Sequence, residues 1–333
     1  MTMQRFINDP DDIVDETVRG FVKAHSDLVR IDPTNNRVIV SQTAPEKGRV
    51  GVVTGGGSGH EPAFIGYTGK NMLDAVAIGE IFSSPTAKSF HDAIKAADGG
   101  AGIVVLYGNY AGDIMNVKMA LSLASKDGID VATVIANDDV CSAPFDEREK
   151  RRGVAGEIFM WKVGAAKAAK GASLADVQAS AQKAIDNCRS VGIGLMPCTL
   201  PAVGHPNFTI DPGTMELGIG HHGEPGTSVT ELRSANEIAD EMTKIVLGDH
   251  GLPKGTEVAV LVSGLGATPV NEQYVLYDRI EDQIAAHGLK VHKAYVGNYF
   301  TSLEMVGVTL TIMALDPELK ELLALETECP GFR

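Results

Sequence analysis

Three short stretches of this chain place residues able to do chemistry among glycines that let a ligand come close. The first is Thr54-Gly-Gly-Gly-Ser-Gly-His60-Glu-Pro62. A glycine run lets backbone N–H groups approach a ligand and tolerates positive φ, while Ser58 and His60 add a hydroxyl and an imidazole. A nucleotide loop is the natural alternative. However, a GxGxxG starting at Gly55 would need glycine where His60 stands, and no GxxxxGK[ST] surrounds it. The residues suit a small hydroxyl and carbonyl compound better than a triphosphate, and a plain strand-to-helix turn stays open.

The second stretch is Gly108-Asn-Tyr-Ala-Gly-Asp113. Asp113 reads either as a helix N-cap or as a general base taking a proton from a substrate hydroxyl. The third is Glu216-Leu-Gly-Ile-Gly-His221-His222-Gly-Glu224-Pro-Gly226. A neutral imidazole there can be a nucleophile or a hydrogen-bonding group for a carbonyl, or simply a loop histidine in solvent. A metal site is disfavoured, because adjacent histidines diverge and no HExxH spacing occurs. Asn137-Asp-Asp139 is a further acidic candidate or an ordinary turn. Arg148-Glu-Lys-Arg-Arg-Gly153 reads as a solvated basic loop, with a docking contact for an acidic or nucleotide-bearing partner as the other reading.

Strands that end at one sheet edge would bring the first two stretches together. Residues 49–54, 102–107 and 130–136 are short β-branched runs, and residues 86–97 and 116–125 between them have helical spacing. Ligands of open α/β sheets sit beyond the carboxyl ends of strands, so the His60 and Asp113 loops are expected at one crevice. Helices follow over 156–170 and 173–189, the second opened by Ser173 and Asp176 as a capping box. Residues 192–226 read as loop and short strand, rich in Gly and Pro. A second α/β pattern then runs through strands 257–263, 290–296 and 306–313 and helices 270–287 and 317–324. The predicted fold class is α/β, as two domains, 1–190 and 191–333, each a mainly parallel or mixed sheet flanked by helices.

The balance of 44% hydrophobic and 22% charged residues in a 333-residue chain is that of a globular protein with a large core. A net charge of −14 argues against nucleic acid or an anionic membrane surface as partner. The start of the chain lacks the basic and apolar regions of a signal peptide, and no run is long enough to span a bilayer, so a soluble cytoplasmic protein is expected. Four scattered cysteines, Cys141, Cys188, Cys198 and Cys329, read as buried thiols.

In this order the three motifs, with Arg152-Gly-Val-Ala-Gly156, resemble the substrate-binding K subunit of the dihydroxyacetone kinases over nearly the whole chain. The resemblance implies that His222 adds covalently to the ketone as a hemiaminal. It further implies that His60 hydrogen-bonds the substrate and assists proton transfer, that Asp113 activates the terminal hydroxyl, and that backbone groups of Gly57, Ser58 and Gly59 hold substrate oxygens. No cofactor or metal is expected on this chain. ATP or ADP with Mg would sit on a separate L subunit, the phosphoryl group coming either from ATP directly or from a phosphotransferase-system protein that recharges bound ADP, the route a stand-alone chain favours, and homodimerisation is implied. Gly108 departs from the family pattern, where lysine commonly precedes NYxGD, so a four-carbon ketose such as erythrulose is an alternative to dihydroxyacetone. The remaining alternative is a ketose-sensing transcriptional coactivator without catalysis.

Overall fold

The computed structural model describes residues 4–206 and 208–332. In chain order the first half runs α1 (Ile13–Ala24), β1 (Val29–Asp32), β2 (Asn35–Ser41), β3 (Gly51–Ser58), β4 (Ala75–Ile81), α2 (Ala87–Ala97), β5 (Ile103–Gly108), α3 (Ala111–Lys126), β6 (Val131–Ala136), α4 (Glu157–Ala169) and α5 (Leu174–Asp186). The second half runs β7 (Cys188–Met196), β8 (Thr214–Leu217), β9 (Ser228–Glu231), α6 (Ala235–His250), β10 (Glu257–Gly264), α7 (Val270–Ala286), β11 (Lys290–Gly297), β12 (Val306–Leu315) and α8 (Pro317–Ala324). Two six-stranded mixed sheets result, ordered β1-β2-β4-β3-β5-β6 and β11-β10-β12-β7-β8-β9. The α/β class expected from the alternating patterns is the class found. No helix among the described residues is long and apolar enough to cross a membrane.

In the first sheet β3 pairs in parallel with β4 on one side and β5 on the other. The order therefore reverses at β3, which opens a crevice at its carboxyl end. Behind it, α4 is buried on every side, as an almost uniformly apolar helix must be. One apolar core runs from Val52 and Val76 of the first sheet through Phe159 and Trp161 of α4 to Leu261 and Met313 of the second. Trp161 links the layers, its ring centroid 5.4 Å from that of Phe64 and 6.2 Å from that of Phe300.

Two elements differ from the sequence reading in ways that matter for the site. The glycine run is not a loop after a strand ending at residue 54: β3 continues to Ser58, because Gly55, Gly56 and Gly57 pair with Ala77, Ile78 and Gly79. The second is α3, which starts at Ala111 rather than at 116. Tyr110 occupies the cap position, so Asp113 lies inside the first turn and is not the N-cap.

Candidate active site

The side chains of the three motifs converge on one cavity of about 270 Å³, lined by Gly55–Gly57, His60, Phe82, Ser84, Gly108, Tyr110, Asp113, Glu157, His221, His222 and Phe300, among others. The glycines of β3 form its floor. A Cβ on Gly56 would lie 2.0 Å from the Phe64 ring, and one on Gly57 would lie 2.7 Å from Ser83 N, so the wall admits no side chain there. Gly59, at φ +95°, turns the chain sharply so that His60 faces back over the strand end.

Of the residues expected to hold substrate oxygens, Gly57 lines the cavity. At Ser58 the backbone carbonyl accepts from Phe82 N at 3.0 Å and Oγ donates to Gly79 O at 3.0 Å, while Gly59 N donates to the Glu61 carboxylate at 3.0 Å, so these groups hold the turn.

His60 is 2% exposed. Its Nδ1 lies 2.7 Å from Thr301 O, in the segment between β11 and β12, and its ring stacks on Phe82 at 4.8 Å. A carbonyl oxygen only accepts, so Nδ1 carries the proton and Nε2 of the neutral ring is a lone pair. That Nε2 stands 3.0 Å from His222 Nε2. His222 in turn places Nδ1 2.8 Å from Glu224 Oε1, while its backbone N–H donates to Glu224 Oε2 at 2.9 Å. With Nδ1–H of His222 donated to the carboxylate, both facing Nε2 atoms present lone pairs to each other across 3.0 Å.

The electrostatics fit that arrangement. Burial, reinforced by His222 and His221, drives the His60 pKa well below the usual imidazole value. Burial alone would raise Glu224, but the His222 hydrogen bond and charge with two backbone donors outweigh it and hold Glu224 down at about 2. Burial lowers His221 to about 3, and its Nε2 faces Thr309 Oγ1 at 3.2 Å. The two adjacent histidines thus have different partners, and the loop-in-solvent reading fails for both. Burial raises Asp113 to about 6, against a hydrogen bond with Ser84 and the charge of His222, and Asp113 Oδ1 is buried without a hydrogen-bond partner.

Asn137-Asp-Asp139 and the basic segment are structural supports. Asp138 accepts from Val154 N at 3.0 Å and Gly156 N at 2.9 Å, fixing the entry to α4. The solvated-loop reading of the cations is overturned for two of them: Arg151, 1% exposed, is paired with Asp249, and Arg152 with Asp139. Arg152 also donates to Gly218 O at 2.9 Å, tying down the loop that carries His222. Sequence reasoning missed Glu224, Glu157, Tyr110, Phe82 and Arg152 as site residues. Glu224 was the most accessible of these, as an acid two residues after a candidate nucleophilic histidine.

Comparison with protein families matches the Dak1 domain over residues 19–331. The chain belongs to the Dak1 domain family. Among Dak1 proteins it is 42% identical over 331 residues to the PTS-dependent dihydroxyacetone kinase 2, dihydroxyacetone-binding subunit DhaK, of Listeria innocua, with 99% of each chain covered. It is 39% identical over 336 residues to the L-erythrulose 1-kinase of Mycolicibacterium smegmatis, covering 99% of this chain and 58% of that protein. A solved structure described as dihydroxyacetone kinase operon co-activator Dha-DhaQ superposes with a TM-score of 0.88 at 30% identity, covering 94% of this chain and 96% of that one. The Dak1 match places all three motifs within one family region.

Proposed function

We propose that this chain is the ketose-binding subunit of a dihydroxyacetone-type kinase, holding the ketone covalently on His222 and presenting its hydroxyl to Asp113. The observation that carries the reading is the Glu224–His222–His60–Thr301 chain of contacts, which leaves the two Nε2 atoms facing each other in a cavity also lined by Asp113. In this reading His60 Nε2 takes up one proton from solvent as the ketone binds, and the lone pair of His222 Nε2 forms a bond to the carbonyl carbon. The C=O π pair moves to oxygen, which takes the proton from His60 and becomes the hemiaminal hydroxyl. The charge balances with that one proton taken up: it ends on the hemiaminal oxygen, and the positive charge rests on the alkylated His222 ring, opposite Glu224. Asp113 then accepts the proton of the terminal hydroxyl as that oxygen attacks the phosphoryl donor. In this reading nucleotide and Mg arrive on a separate L-type subunit, as the full-length match to a PTS-dependent binding subunit supports.

Native mass spectrometry tests the covalent step. Incubation with dihydroxyacetone is expected to add the mass of the whole ketose, because addition expels no water. Glycerol, which has no electrophilic carbon, should add none as a covalent species. Absence of any covalent gain with small ketoses would overturn the reading.

The elevated Asp113 pKa sets a pH dependence. A base must be deprotonated, and burial raises this carboxyl to about 6, so its function is lost as pH falls through that value. At saturating ketose His222 is already alkylated, and kcat measured with the L-type partner should fall about tenfold per unit below roughly pH 6. A flat kcat between pH 7 and 5 would remove Asp113 from the base role.

A further inference from the structure

The cavity wall holds a second carboxyl that the mechanism above does not use. Glu157, the first residue of α4, is 1% exposed and lines the cavity. Its Oε2 is buried with no hydrogen-bond partner. Burial, with the nearby Asp138 and Asp113 adding, holds Glu157 well above the usual carboxyl pKa and so favours its protonated form, which can donate as well as accept. An unsatisfied polar group in a protein interior costs stability and calls for an explanation. Here a partner supplied by the ligand is the available one.

Gly108 gives that carboxyl its access to the cavity. It ends β5, and a Cβ built there would lie 2.5 Å from Glu157 Oε1 and 3.1 Å from the Tyr110 ring. Any larger residue at 108 would therefore displace or cover the Glu157 carboxyl. Tyr110 continues the wall to the nucleophile, its ring centroid 5.1 Å from that of His222. Space points the same way. Even at roughly 30 Å³ for each heavy atom, the share of a water molecule in the liquid, dihydroxyacetone's six leave part of the 270 Å³ cavity unfilled.

The geometry points to Glu157 as a specificity-determining residue: its carboxyl, exposed to the cavity by Gly108, hydrogen-bonds the additional hydroxyl of a four-carbon ketose such as erythrulose, which this site binds in preference to dihydroxyacetone. The inference rests on the covalent ketose-binding reading above. A pocket that merely has room for one more carbon discriminates weakly, whereas one with a buried group requiring a substrate hydroxyl discriminates strongly, because the shorter substrate leaves that group unpaired.

The test compares apparent dissociation constants of the covalent adducts of L-erythrulose, D-erythrulose and dihydroxyacetone by native mass spectrometry. In the wild type one erythrulose enantiomer should bind at least about tenfold more tightly than dihydroxyacetone. Glu157→Leu should erase that ratio, losing about 10- to 100-fold for erythrulose and little for dihydroxyacetone. Glu157→Gln, neutral and able to donate and accept like the protonated acid, should keep the ratio within about threefold. Gly108→Ala should reduce the ratio by crowding the carboxyl. Thermal unfolding supplies a separate readout. Glu157→Leu removes an unsatisfied buried group and should raise Tm while lowering erythrulose affinity, whereas a purely structural Glu157 would give a lower Tm and no change in the ratio. A wild type that binds both erythrulose enantiomers no better than dihydroxyacetone, or a Glu157→Leu variant that weakens all ketoses equally, overturns the inference while leaving the covalent reading intact. Absence of adducts with all three ketoses overturns both.

Discussion

His222→Ala is expected to abolish the ketose adduct completely and to lower turnover with the L-type partner by on the order of 10³-fold or more, since tethering the substrate supplies much of the positioning that phosphoryl transfer needs. The variant should fold. The His222 side chain is 27% exposed and sits on a loop also held by Arg152 through Gly218 O and by Gly220 N donating to Glu224 O. Its loss should also change selectivity in a characteristic way: the wild type is expected to separate ketones from glycerol by bond formation, and the alanine variant to retain only weak, similar affinity for both. Two other imidazoles line the cavity, so the result discriminates among nucleophiles. His221 faces Thr309, and burial keeps its Nε2 in the wall. His60 holds its Nδ1 proton on Thr301 and directs Nε2 at His222. An adduct that persisted in His222→Ala would transfer the nucleophile's role to His60, and one lost in His60→Ala as well as in His222→Ala would mark the pair as a unit.

Much of this site was readable in the sequence because its chemistry is concentrated in motifs whose glycines have a steric purpose. The residues that escaped are those whose role depends on distant partners. Arg151 and Arg152 belong to a run of cations that resembles a solvated loop, yet Asp249 lies 98 positions from Arg151, and only folding shows that the pair is buried. Glu157 opens a helix whose following residues are almost all apolar, and a lone acid there resembles a favourable first-turn charge until Gly108 is seen beside it. The strand character of Gly55–Gly57 was hidden for another reason: glycine has little β propensity, and pairing with β4 and packing against Phe64 and Phe90 override it. In the same way α3 begins five residues before its apolar periodicity does, since the short segment Gly108–Tyr110 leaves β5 and turns directly into helix. The helix α6 went unread as well, although Ser234 and Glu237 form a complete capping box at its start.

Asp113→Asn should separate recognition from chemistry. Asparagine keeps the size of the side chain and the bond with Ser84, and Asp113 is not in the Glu224–His222–His60 chain, so adduct formation should survive. Turnover should fall by about 10²- to 10⁴-fold, the range a positioned general base contributes. The residual rate should lose the acid limb near pH 6, because the group that titrates there has been removed. The substitution also replaces a carboxyl that burial makes costly to ionise by a permanently neutral amide, so the variant should be no less stable than the wild type at pH 8. Loss of activity then cannot be assigned to unfolding. The same variant bears on the likeness to the Dha-DhaQ co-activator. A chain that only senses ketose would form the adduct and show no turnover in either wild type or Asp113→Asn, whereas a catalytic subunit shows turnover in the wild type alone. If the asparagine variant turned over normally with its partner, the hydroxyl proton would be leaving by another route, and Asp113 would be a wall of the cavity rather than its base.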